Sequence, residues 1–168
     1  MQDERDRLIA CIPRLRRYAR ALISDRTGAD DLVQDTMERG WKKLSSWQSG
    51  SDMRAWLFGI MHNLHIDQVR RPAIATEVLD DDTLMPMFKA TQTDALEMRD
   101  LQSALATLPA EQREILLLVA LEDMSYIEVA ATLGLPLGTV MSRLSRARQK
   151  LRAHMEGRVV VSSLKVVK

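Results

Sequence analysis

Arg143, Arg146, Arg148, Lys150 and Arg152 are the only charged side chains between Leu137 and Arg152, and all are cations. Their chemistry is anion binding, and a row of them suits a polyanion such as the DNA backbone. A helix from about Gly138 to His154 would be roughly 25 Å long at ~1.5 Å per residue, which is enough to lie in a DNA major groove. The plainer reading of the same row is a solvated basic face. Agreement with the neighbouring turn signals decides for DNA.

A second set of residues raises the question of catalysis. His62, His65 and Asp67 stand close together, and two histidines with a carboxylate can ligate a metal. The spacing lacks the H-E-x-x-H pattern that places two ligands and a base on one helix face. His154 is remote in sequence. No G-x-x-x-x-G-K-[ST] or G-x-S-x-G motif occurs, so neither a phosphate cradle nor a nucleophile elbow is expected. Asp80, Asp81 and Asp82 lack the glycine and downstream glutamate of a calcium loop. No metal, cofactor or catalytic site is expected. Cys11 is the single cysteine; it can form no internal disulfide and reads as a small buried hydrophobe.

The elements that must position the cationic row are legible nearby. Ser125 and Glu128 form an S-x-x-E capping box, so a helix should start at Tyr126. Gly134 supplies the left-handed residue that ends it. Small Ala130 allows a close crossing, and Val140 and Leu144 anchor the second helix. The pair reads as a helix-turn-helix. Upstream, Ile12, Leu15, Tyr18, Ala19 and Leu22 recur at helical spacing, and Pro13 suits a first turn. A second helix is expected over about 29–44, with Asp30 and Asp31 at its start and Lys42 and Lys43 at its end. Ser45–Ser51 is a polar loop, after which Ser51 or Asp52 caps a helix running to about Arg71. Trp56, Leu57, Ile60, Met61 and Leu64 make its buried stripe, and Pro72 ends it. The second block begins near Asp94, with one helix through Leu108 and another opened by Pro109. The tail 157–168 is left unassigned.

Composition agrees with an all-α chain. Apolar residues make up 46%, but only 2 Phe and 2 Tyr occur, so the core must be aliphatic and Met-rich, which favours helices. No apolar run approaches a membrane span. The opening MQDERDRLIACIPRLRR does not read as a signal peptide, and a cytoplasmic protein is expected. Net charge is +1, but residues 1–71 carry +3, residues 72–111 carry −6 and residues 112–168 carry +4. The acidic middle, with Pro72 and Pro86, reads as a flexible linker over 72–93. It should weaken binding of the free chain to duplex DNA.

Three segments together resemble the bacterial group IV, or extracytoplasmic-function (ECF), sigma factors of the sigma-70 family. They are ADDLVQDT at 29–36, MRAWLFGIMHNLHIDQVRR at 53–71, and LPAEQREILLLVALEDMSYIEVAATLGLPLGTVMSRLSRARQKLR at 108–152. The resemblance implies two small helical domains, a sigma-2 domain over 1–71 and a sigma-4 domain over 94–156. It implies a transcription initiation factor that binds core RNA polymerase through its β′ and β subunits and directs it to promoter DNA. An anti-sigma factor is the expected regulator.

Carried over position by position, Asp30, Asp31, Leu32, Gln34, Asp35 and Glu38 match the segment that packs on the β′ clamp helices. The loop 45–51 and the helix after it match the part that grips the melted −10 strand. There Trp47 is the expected aromatic, Asn63 a base-edge contact, and Arg54, Arg70 and Arg71 phosphate contacts, while Trp41 and Trp56 are expected in the core. Asp67 is expected to orient Arg70 or Arg71, or to cap locally. For the −35 element, Thr139, Met141, Ser142, Ser145 and Arg146 match the groove-facing positions, with Arg143, Arg148 and Lys150 on phosphates or packed locally. Many family members carry Arg or Lys where Met141 stands and a bulky residue where Ser145 stands, so the preferred −35 sequence departs from theirs. The alternative is a helix-turn-helix regulator that does not ride on polymerase. It would need a sensor or receiver domain in front, and residues 1–71 show no strand alternation.

Overall fold

The computed structural model describes residues 1–71 and 92–157, and every regular element among them is helical. The acidic segment 72–91, with its three aspartates, and the tail 158–168 lie outside the described residues. The helices are α1 (Gln2–Ala10), α2 (Ile12–Leu22), α3 (Arg26–Lys42), α4 (Met53–Arg70), α5 (Gln92–Thr107), α6 (Ala110–Ala120), α7 (Tyr126–Leu133) and α8 (Leu137–Met155). A single 3-10 turn, Leu44–Ser46, links α3 to the loop before α4.

Local chemistry explains most boundaries. Asp52 caps α4 by accepting from the backbone N–H of Arg54 at 2.9 Å and of Ala55 at 3.4 Å. Pro13 sits in the first turn of α2. The third helix begins at Arg26, ahead of the expected Ala29, because Asp25 caps it through the N–H groups of Thr27 and Gly28 at 3.2 and 2.9 Å. Asp30 and Asp31 therefore stand inside the helix. A further helix, α1, precedes the expected first one, the two meeting at Cys11.

Helices α1–α4 pack around Leu8, Leu15, Leu22, Leu32, Leu57 and Met61, all buried. Tyr18 and Phe58 meet edge to face with centroids 4.9 Å apart, a favoured aromatic geometry. Helices α5–α8 pack around Ile115, Leu118, Val129, Val140, Leu144 and Ala147. The two groups are not separate bodies on a string. Helix α2 packs on α6 and α4 packs on α7, and the buried side chains join in one core.

The contact between α4 and α7 is close because Gly59 has no side chain. A Cβ there would stand 3.3 Å from the carbonyl oxygen of Thr132. Arg113 stitches three helix ends together. Its Nε donates to Leu105 O at 2.8 Å, Nη1 to Leu22 O at 2.8 Å, and Nη2 to Leu108 O and Ala106 O at 2.9 and 3.1 Å. These acceptors lie at the ends of α5 and α2, where helix carbonyls have no partner of their own. Burial lowers the Arg113 pKa.

Candidate nucleic-acid interface

The helix-turn-helix is built from local signals. Ser125 Oγ accepts from the backbone N–H of Glu128 at 3.2 Å, and the Glu128 carboxylate accepts from the N–H of Ser125 at 2.7 Å, so the capping box is closed. That backbone bond, together with the Ser125 side chain, holds the Glu128 carboxyl below its ordinary value. Gly134 ends α7 at φ +66°, a conformation that disfavours side chains. Leu135 N–H then bonds back to Ala130 O at 3.0 Å. The chain turns sharply, and α8 starts at Leu137.

Val140, Leu144 and Ala147 fix α8 on the core, and the opposite face is open. Met141, Ser142, Ser145, Arg146, Arg148, Lys150 and Arg152 are exposed, and Thr139 is half-buried. The open face thus presents cations flanking short polar side chains, which is the arrangement a groove-binding helix needs. Arg148 donates to Tyr126 Oη at 3.2 Å, so α7 steadies one cation. Arg143 is different. It is half-buried and paired with Glu111 at 3.3 Å, and its part is local packing rather than free phosphate contact. Tyr126, Met141, Ser145, Arg148 and Arg152 line a shallow groove between α7 and α8.

On the N-terminal helices the expected residues divide. Asn63, Arg70 and Arg71 are exposed at the C-terminal part of α4. Asp67 is also exposed and makes no ion pair with Arg70 or Arg71. Trp47 is not the exposed aromatic of the loop. It is 7% exposed and belongs to the core, because the 3-10 turn folds the residue after it inward beside Leu44. The tryptophan expected in the core, Trp41, is 47% exposed and lies under the Arg5 guanidinium at 5.1 Å. Arg54 is turned away from solvent. It donates to Glu122 O at 2.7 Å and to Asp52 at 3.3 Å, so in this conformation it meets no phosphate.

Helix α3 presents an acidic face. Asp31, Gln34, Asp35 and Glu38 are exposed on successive turns, and exposed Trp41 continues the same row at helical spacing. Asp30 is half-buried and paired with Arg20 at 3.3 Å. A hydrogen bond from Lys42 at 2.6 Å keeps the Glu38 carboxyl below its ordinary value. Leu32 is fully buried, so it supports the helix from inside and touches no partner.

His62, His65 and Asp67 are not brought together. His62 Nδ1 meets Glu114 Oε1 at 2.5 Å, whereas Asp67 is exposed on another turn. Burial lowers the His65 pKa, against the opposing pull of Glu114. Among the described residues no group of three His, Cys, Asp or Glu is arranged to hold an ion. Among them too, no helix is long and apolar enough to cross a membrane. Sequence reasoning passed over the acids that meet the N-terminal helices, Glu114 and Glu122. The available signal was two glutamates bracketing the apolar run ILLLVAL.

Comparison with known proteins accounts for both groups of helices. Residues 8–62 match the family described as "Sigma2 domain of PhyR", and residues 98–151 match "Sigma-70, region 4". The ECF RNA polymerase sigma factor EcfG of Rhodopseudomonas palustris is 39% identical over 150 residues, 89% of this chain and 83% of that one. Among solved structures, the sigma factor RpoE of Bartonella quintana, in complex with the anti-sigma factor NepR, superposes with a TM-score of 0.76. It is 36% identical, over 93% of this chain and 98% of that one. CnrH, in complex with the cytosolic domain of CnrY, gives a TM-score of 0.62 at 32% identity, over 86% of this chain and 82% of that one.

Proposed function

The chain belongs to the ECF sigma factors, transcription initiation factors that bind core RNA polymerase and direct it to specific promoters, and we propose how its surfaces divide that work. Residues 1–71 act as the sigma-2 domain and 94–156 as the sigma-4 domain, with 72–93 between them. The open face of α8 enters the major groove at the −35 element. Thr139, Met141, Ser142, Ser145 and Arg146 face base edges, and Arg148 and Lys150 hold phosphates. With Met141 and Ser145 in place of long cations or bulky groups, that face is suited to apolar contact with thymine methyls and to short hydroxyl contacts.

The exposed end of α4 serves the −10 element. Asn63 contacts a base edge, and Arg70 and Arg71 contact phosphates. The carboxylates of Asp31, Asp35 and Glu38, with Gln34 and the exposed ring of Trp41, form the surface for a basic helical partner on the polymerase β′ subunit. RpoE is seen in complex with the anti-sigma factor NepR, which supports an anti-sigma factor as the regulator here. The chain works in the cytoplasm with the polymerase and has no catalytic site of its own.

The observation that carries this reading is the polarity of α8. One face is buried to the last atom at Val140 and Ala147, and the other carries four exposed cations, Arg146, Arg148, Lys150 and Arg152. The test is co-elution with core polymerase on gel filtration. Asp31→Lys with Asp35→Lys should abolish co-elution, and Arg146→Ala should leave it intact. Equal loss from both variants would contradict the division.

A further inference from the structure

Glu122 stands between α6 and α7 with its side chain fully buried, beside Asp123, whose φ of +53° turns the backbone sharply. Every cation that meets it comes from the other group of helices. Arg17 Nη2 lies 3.1 Å from Oε1 and also donates to Leu121 O at 3.0 Å. Arg14 Nη1 is 3.8 Å from Oε2, and Arg54 Nη1 donates to the Glu122 carbonyl at 2.7 Å. Among the described residues, no cation of α5–α8 pairs with this carboxylate. A carboxylate without water is tolerated only where opposite charge and donors replace the water. Glu122 has both only while the two helical groups are closed on each other.

Closure has a functional consequence. A compact chain of this length has a radius of gyration near ~15 Å. The −10 and −35 elements lie about two duplex turns apart, ~70 Å at ~34 Å per turn. The closed form cannot reach both, and it also holds Arg54 away from DNA.

We propose that Glu122 is an internal latch: seated among Arg14, Arg17 and Arg54, it keeps the free chain closed and autoinhibited. When the two units part, the same arginine cradle takes a DNA backbone phosphate. Glu122 is thus the chain's own stand-in for that phosphate. Two guanidinium groups of α2 meet the carboxylate and a third, from the first turn of α4, holds the carbonyl of the same residue, so the three stand around one site suited to an oxyanion. The inference rests on the sigma reading only for what closure prevents. Closure itself is measured without polymerase.

The experiment uses the full chain in two measurements. Small-angle scattering reads opening, and fluorescence anisotropy with duplex promoter DNA reads affinity. Glu122→Gln should enlarge the radius of gyration at unchanged helix content. It should tighten DNA binding about tenfold if the closed form outnumbers the open one by that factor. Asp3→Asn, the same charge change on an exposed residue, should do neither. Arg14→Ser with Arg17→Ser, on two half-exposed residues whose loss leaves the core intact, should open the chain with no gain in affinity, because the cradle is gone. A chain that stays compact in both the Glu122 and the arginine variants overturns the latch. A tenfold gain in the arginine variant overturns the cradle. Failure of the sigma reading would show separately, as no promoter-dependent transcript from the opened Glu122→Gln chain with core polymerase.

Discussion

Replacing Arg113 by lysine tests how the two helical groups are joined. The guanidinium makes four hydrogen bonds to carbonyls, three of them part-buried, at the ends of α5 and α2. A planar fork reaches acceptors in several directions at once, whereas an ammonium donates from a single point. Lysine keeps the charge near one helix end and loses at least two of the part-buried bonds. Each such bond is worth about 1 kcal/mol net, because water replaces part of it at a half-exposed site. The expected loss is ~2 kcal/mol for Arg113→Lys. For a chain of this size ~1 kcal/mol moves Tm by roughly 2–4 °C, so the Lys variant should melt about 4–8 °C lower. Arg113→Met, which loses all four bonds, should melt lower still. Thermal unfolding followed by circular dichroism reads both. A Lys variant within ~1 °C of the parent would refute the claim that geometry, rather than charge, makes the staple. So would a Lys variant less stable than the Met variant.

Arg146→Ala should lower run-off transcription from the cognate promoter by the equivalent of ~1–3 kcal/mol if it reads a base, with polymerase binding unchanged in a co-elution assay. Ser125→Ala should cost ~1 kcal/mol of stability by opening the capping box, read by urea unfolding. The Glu128 carboxyl has its folded pKa below the ordinary 4.5, so its contribution is present above that value and lost as pH falls through the folded pKa. The stability gap between the parent and Glu128→Gln should therefore be open at pH 7 and close in acid, as read by urea midpoints across pH. Leu144→Ala should cost ~2–5 kcal/mol, because Leu144 is fully buried beneath α8.

What was legible in the sequence was what neighbours along the chain determine. Ser125, Glu128 and Gly134 act within one turn of their own residues, so the helix-turn-helix and its capping box stand where they were expected. The start of α3 was missed by three residues because Asp25, Asp30 and Asp31 are all chemically able to cap, and only the backbone decides among them. The tryptophans exchanged places for a related reason. Whether Trp41 or Trp47 turns inward depends on how α1, α3 and α4 pack, and no local spacing records it. The contacts of Arg17 and Arg54 with Glu122, and of His62 with Glu114, join residues 105, 68 and 52 positions apart. Nothing in the one-dimensional pattern pairs those charges. Arg54 reads as a phosphate ligand from its position, and the fold gives it a carbonyl.

The measurement that bears most directly on the account is run-off transcription with purified core polymerase, this chain and a library of promoter fragments. Discrete transcripts should start from a defined subset of templates, and only when polymerase and the chain are both present. If the chain bound the fragments yet no template gave a transcript with core polymerase, the assignment of polymerase binding to α3 and promoter reading to α8 would be wrong.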